Sequence, residues 1–170
     1  MSDRRLSRRQ SIQLLITTTA FLVPTTHLSA ANQAGELEKI TMHKSATCGC
    51  CGKWAQKMRE AGFVVEEIIE ADMQAFKSRL GISAQMHSCH TSEIAGYIVE
   101  GHVPAQAIRQ LLQERPKVSG IAAPGMPSGS PGMEMGAPEV YTLYLFDAAG
   151  ARPLGKWQGD KPVGIFADYV

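Results

Sequence analysis

Apolar and polar positions alternate along "LEKITMHK" (37–44), where Leu37, Ile40 and Met42 are the apolar members, and this predicts a strand. The period then lengthens. From Cys50 to Ala61 the residues Trp54, Ala55, Met58 and Ala61 recur at helical spacing, with Gly62 as the stop. "FVVEEIIE" (63–70), rich in β-branched residues, reads as the next strand, and "DMQAFKSRLG" (72–81) as a short helix capped by Asp72 and closed by Gly81. A third strand is expected over "EIAGYIVE" (93–100). It is followed by a helix in "PAQAIRQLLQERP", with Pro104 in its first turn, Ala107, Ile108, Leu111 and Leu112 on its buried face, and Pro116 at its end. Beyond a long loop, "VYTLYLFD" (140–147) carries the clearest strand pattern and "PLGKWQG" a weaker one, with Tyr141 and Trp157 expected in the core. Alternating β and α elements predict an α/β sandwich with a small mixed sheet flanked by helices.

The first 31 residues do not belong to that pattern. Arg4, Arg5, Arg8 and Arg9 precede an apolar run from Ile12 to Val23, and small residues at Ser29 and Ala31 follow, which is the layout of a cleaved signal peptide. The run is well short of the roughly 20 residues a membrane-spanning helix needs, so no stable membrane insertion is expected after cleavage. "SRRQSI" contains a twin-arginine pair, although Ser11 stands where that signal usually has a bulky apolar residue, and both the general and the twin-arginine export routes stay open. Cleavage after Ala31 leaves residues 32–170 as one domain in the periplasm. That remainder holds 13 basic against 15 acidic residues, a formal charge of −2, which argues against a nucleic-acid or anionic-membrane partner.

An oxidising compartment makes the cysteines informative, because neighbouring thiols there tend to become disulfides. Three of the four lie in "TCGCCGKW" (47–54), at the end of the first predicted strand and the start of the first helix. Cys48 and Cys51 have C-x-x-C spacing at a helix amino terminus, where unsatisfied N–H groups favour the thiolate, as in thioredoxin-like folds. Cys50 is superfluous to a dithiol oxidoreductase and would offer it a competing pairing. Three thiolates suit a soft metal such as copper(I), which a compact turn can hold as more than one ion by bridging through sulfur. Structural zinc usually takes two separated ligand pairs instead. Simple disulfide exchange and a purely structural disulfide remain as alternatives.

The fourth cysteine lies in "MHSCHT" (86–91), where His87, Cys89 and His90 are expected to face the first three cysteines, with Met86 as a further candidate. His43 has a weaker claim, and His102, preceding a helix, reads at least as readily as a cap or surface group. The loop "SGIAAPGMPSGSPGMEMG" (119–136) has five glycines and three prolines, a composition that predicts no regular structure. It is either a flexible insertion or a mobile arm whose Met126, Met133 and Met135 capture copper(I). A phosphate-binding glycine loop, a nucleophile elbow and a His-Glu-x-x-His zinc motif are all lacking. Glu66 and Glu67 point to opposite faces of a strand and read as solvent and edge charges.

The segments "CGCC", "MHSCHT", "GYIVEGHVPA" and "PGMPSGSPGME", in this order, resemble the CopG family of periplasmic copper-resistance proteins, over roughly residues 38–158. The resemblance implies a thioredoxin-like fold and a copper cluster on Cys48, Cys50 and Cys51, with Cys89 and the neighbouring histidines as a second ligand group. It also implies interconversion of copper(I) and copper(II) during detoxification. Two classes of function follow. One is a copper-binding redox protein, a copper-dependent oxidoreductase if it turns over, served by a periplasmic copper carrier or an electron-transfer partner. The other is a thiol–disulfide oxidoreductase in which Cys48 attacks and Cys51 resolves. A passive copper carrier lies between them.

Overall fold

The structure, a computed structural model, describes residues 38–165. The expected signal peptide and its cleavage point lie outside the described residues. Eight strands and three helices follow one another as β1 (Lys39–Lys44), α1 (Gly49–Glu60), β2 (Val64–Ile69), α2 (Met73–Arg79), β3 (His90–Ile94), β4 (Tyr97–Gly101), α3 (Ala105–Glu114), β5 (Gly120–Ala123), β6 (Val140–Asp147), β7 (Gly150–Gln158) and β8 (Lys161–Ile165). A 3₁₀ turn, Ala84–Met86, lies between α2 and β3. All strands join one mixed sheet in the order β2-β1-β3-β4-β5-β6-β7-β8. The α/β architecture is the expected one, but the sheet is larger than the small one anticipated.

Local chemistry accounts for the helix limits. Helix α1 buries Cys51, Trp54, Ala55 and Met58, one stripe at i, i+3, i+4 and i+7. It ends in a Schellman motif: the N–H of Phe63 donates to Met58 O, that of Gly62 to Arg59 O, and Gly62 takes φ +92. Helix α2 starts where the carboxylate of Asp72 accepts from Ala75 N at 2.9 Å. Helix α3 buries Ala107, Ile108, Leu111 and Leu112 against the main core, and Arg115 in a left-handed conformation stops it just before Pro116.

Three differences from expectation enlarge the sheet. The single strand expected over 93–100 is a hairpin, because Ala95 (φ 48) and Gly96 (φ 86) form a two-residue turn between Ile94 and Tyr97. Positive φ at both positions is the type I′ geometry that matches strand twist. Its usual sequence signal is Asn-Gly or Asp-Gly, and here only the glycine is present. Gly120–Ala123, expected to be irregular, forms β5, parallel to β4 and antiparallel to β6. All four of its residues are buried, Ile121 and Ala123 in the main core and Ala122 in a smaller cluster with Ile82, Met86 and Phe146. A strand covered on both faces shows no alternation. Strand β8 extends the edge beyond β7 and was not anticipated.

Candidate metal centre

Strand register brings the four cysteines together. Strand β1 runs out at Lys44, a turn closed by Cys48 N to Ser45 O follows, and Cys48 is the N-cap of α1. Strand β3 pairs antiparallel to β1 with Lys44 opposite His90, so Cys89, one residue earlier, arrives beside the start of α1. Cys50 Sγ stands 3.6 Å from Cys48 Sγ and 3.8 Å from Cys89 Sγ, and Cys51 Sγ is 3.6 Å from Cys89 Sγ. All four sulfurs lie within 4.8 Å of one another. Cys48 and Cys51 are joined as a disulfide with their Cα atoms 5.5 Å apart, while Cys50 and Cys89 are free thiols. Cys51 is buried and the other three are half-buried.

The same hairpin that split the third strand supplies an imidazole. Thr91 pairs with Glu100 across β3 and β4, which sets His102, just past β4, alongside Cys89. His102 Nε2 lies 2.9 Å from Cys89 Sγ, and His90 Nδ1 lies 3.3 Å from it. Cys89, His90 and His102 thus form a second ligand-capable group that shares Cys89 with the first. His102 is wholly buried, which corrects the expectation of a surface or capping residue. The sequence clue available was its place two residues after the strand expected over 93–100.

The remaining candidates are occupied elsewhere. His87 turns Nε2 onto Ile82 O at 3.0 Å and belongs to neither group. His43 Nδ1 bonds Glu70 at 2.8 Å and its ring stacks on Phe76. Met86 is packed in the smaller apolar cluster. In the long loop, Met126 and Met135 are exposed and Met133 is half-buried.

A buried polar network holds the segment that carries Cys89. Glu100 accepts from Ser88 N at 2.6 Å, from Thr91 Oγ1 at 2.6 Å, and from Lys77 Nζ, which also donates to Thr91 Oγ1 at 2.8 Å. On the opposite face Trp54 donates Nε1–H to Val103 O at 2.9 Å and lays its ring 4.6 Å from that of His90.

Burial sets the protonation. It pushes the Cys89 thiol up to about 12, with the nearby Cys50 adding to the effect. Burial also holds His90 well below its ordinary value, helped by the neighbouring His102 ring, which disfavours a second cation, and by the Lys77 and Lys44 ammonium groups. His102 is lowered by burial too, partly offset by its bond to Pro131 O and by Glu134. Neutral imidazoles keep a lone pair for a metal, and His90 Nε2 is a buried atom with no hydrogen-bond partner among the described residues. Four cysteine sulfurs with two neutral imidazoles at their margin form a donor set that fits a soft, thiophilic ion once the cysteines are reduced. Binding there would displace the Cys89 proton.

Comparison with known proteins agrees with that chemistry. Residues 86–133, which include Cys89, His90 and His102, match a family described as a protein of unknown function, DUF411. No curated protein matches the chain. Two solved structures do, both of a copper resistance protein copG. Form 2 is 46% identical, with 72% of this chain and 99% of that one covered at a TM-score of 0.68. Form 1 is 47% identical, with 73% and 100% covered at the same TM-score of 0.68. At this identity and coverage, the chain belongs to the CopG family of copper-resistance proteins.

Proposed function

We propose that this protein binds copper(I) as a thiolate cluster on Cys48, Cys50, Cys51 and Cys89 and interconverts copper(I) and copper(II) in the periplasm. The observation that carries the reading is the meeting of four sulfurs within 4.8 Å, drawn from two separate segments and bordered by His90 and His102. A thiol-exchange enzyme needs two of those sulfurs, whereas a bridged copper(I) cluster uses them all. The Cys48–Cys51 disulfide gives the site its electron capacity. Oxidising two thiols to one disulfide releases two electrons and two protons, enough to reduce two copper(II) ions to copper(I), and the reverse step oxidises two copper(I) ions. An electron-transfer partner resets the pair, and a copper carrier delivers or removes the ion. The order β2-β1-β3-β4, with α1 and α2 as crossovers and α3 following β4, supports a thioredoxin-like reading of this half of the sheet.

One observation favours thiol–disulfide exchange as a second reading. The only disulfide among the described residues joins the C-x-x-C pair, and its Cys48 sulfur is half-buried at the amino end of a helix. The two readings separate in an anaerobic copper(I) titration of the reduced protein against a calibrated chelator. The copper reading expects at least two tightly held ions per chain, and fewer ions with a lower sulfur count by X-ray absorption for Cys89→Ser. Retention of no copper, or identical values for the Cys89→Ser protein, would sink the shared site. A Cys50→Ser protein that still isomerises disulfides at the parent rate would favour exchange.

A further inference from the structure

We propose that the Ser130–Met133 turn is a strap that orients His102 toward the cysteines, and that Gly132 is the residue on which its seating depends. The geometry stands by itself. Its consequence for the metal rests on the copper reading above.

His102 has two ring nitrogens with different neighbours. Nδ1 lies 2.7 Å from Pro131 O, and Nε2 lies 2.9 Å from Cys89 Sγ. A carbonyl oxygen only accepts, so Nδ1 carries the hydrogen and Nε2 presents its lone pair to the sulfur group. An imidazole whose far nitrogen donates to a fixed acceptor is held in one tautomer and one orientation, the usual way a protein prepares a histidine ligand. Here the acceptor is the backbone of the long loop.

That part of the loop is built, contrary to the mobile arm its composition suggests. Met133 N donates to Ser130 O at 2.7 Å, Gly129 N donates to Met133 O at 2.8 Å, and the buried Ser130 hydroxyl donates to Pro127 O at 2.7 Å. Proline at the second position and glycine with φ +84 at the third are the signature of a type II turn. Gly132 also presses on the helix that bears the cysteines. A Cβ there would stand 2.7 Å from Trp54 N and 3.0 Å from Cys50 O, both backbone atoms that cannot swing aside. Glycine is therefore required twice over, by the turn and by the contact. Any other residue must lift the strap from α1 and draw Pro131 O away from His102. The strap is thus a positioning element, tying His102 to the same helical turn that carries Cys50 and Cys51.

The test is long-range ¹H–¹⁵N correlation spectroscopy of the histidine rings in metal-free protein, with the His102 signals assigned by their loss in His102→Gln. The parent should show His102 protonated at Nδ1. Gly132→Ala should shift it toward the Nε2–H form or a mixture, and should weaken copper(I) binding by roughly 10-fold or more. Gly136→Ala is the control. That glycine also has positive φ (+97), but its added Cβ meets only Ser128 Oγ at 3.7 Å, so both readouts should stay near the parent. An Nε2–H tautomer in the parent overturns the proposal without any variant. An unchanged tautomer in Gly132→Ala, or an equal change in Gly136→Ala, overturns it as well. If the parent binds no copper while the tautomer shifts as expected, the copper reading fails and the strap stands.

Discussion

Replacing Lys77 with methionine tests whether the polar network under Cys89 is the buried, fully paired assembly the structure describes. The side chains of Lys77 and Glu100 are 3% and 0% exposed, so loss of the ammonium leaves a carboxylate in the interior. It would keep two donors, Ser88 N–H and the Thr91 hydroxyl, each at 2.6 Å. Charge-assisted hydrogen bonds are worth about 1.5–3 kcal/mol each and do not replace the lost cation. Breaking a buried pair typically costs about 3–5 kcal/mol, and that is the expected loss for Lys77→Met, a midpoint lower by roughly 2 M in urea. The double variant Lys77→Met/Glu100→Gln removes both charges while its amide still accepts from Ser88 N–H and donates to Thr91 Oγ1. It should recover to within about 1–2 kcal/mol of the parent. Urea unfolding followed by the fluorescence of Trp54 and Trp157, both buried, reads all of these proteins. A single variant within about 1 kcal/mol of the parent would refute the buried pair, as would a double variant no more stable than the single. Because Ser88 immediately precedes Cys89, the proposed copper site also predicts weaker copper(I) retention in the single variant.

Two further outcomes follow from the geometry. The buried Tyr141 hydroxyl donates to Gly159 O at 2.6 Å, and its pKa is raised above the ordinary value of 10.0 by burial first and by Asp160 second. The folded chain therefore keeps this proton at a pH where the unfolded chain loses it. Its contribution is complete below about pH 10 and declines above that, by up to about 1.4 kcal/mol per pH unit. Tyr141→Phe should flatten this alkaline limb in pH-dependent denaturant titrations, and parallel curves for the two proteins would contradict the assignment. In the β3–β4 turn, Ala95 adopts φ 48, a conformation awkward for a residue with a Cβ. Ala95→Asn supplies the Asn-Gly pair that type I′ turns prefer and should stabilise by about 0.5–1 kcal/mol in thermal or urea unfolding. A loss of stability would mean the turn is of another type.

The parts of this protein whose physics is local can be read along the chain. The buried stripe of α1 at Cys51, Trp54, Ala55 and Met58, its stop at Gly62, the Asp72 cap and the apolar face of α3 each depend on residues within a few positions of one another. They were legible for that reason. So was the placing of Cys48, Cys50 and Cys51 where a strand gives way to a helix. The remainder depends on pairing between distant segments. Whether Cys89 meets the other three rests on the β1–β3 register, and whether His102 joins it rests on a hairpin whose Ala-Gly turn carries only half of the usual signal. Spacing favoured His87 over His102. Yet His87 lies ahead of β3, where its ring can turn back to Ile82 O, while His102 follows β4 directly and inherits the hairpin's alignment with Cys89. Strand β5 and the strap were hidden because glycine and proline read locally as disorder. Here glycines permit close approach, Gly132 to the α1 backbone and Gly120 to Ile98 O, and only the partner segments reveal that contact.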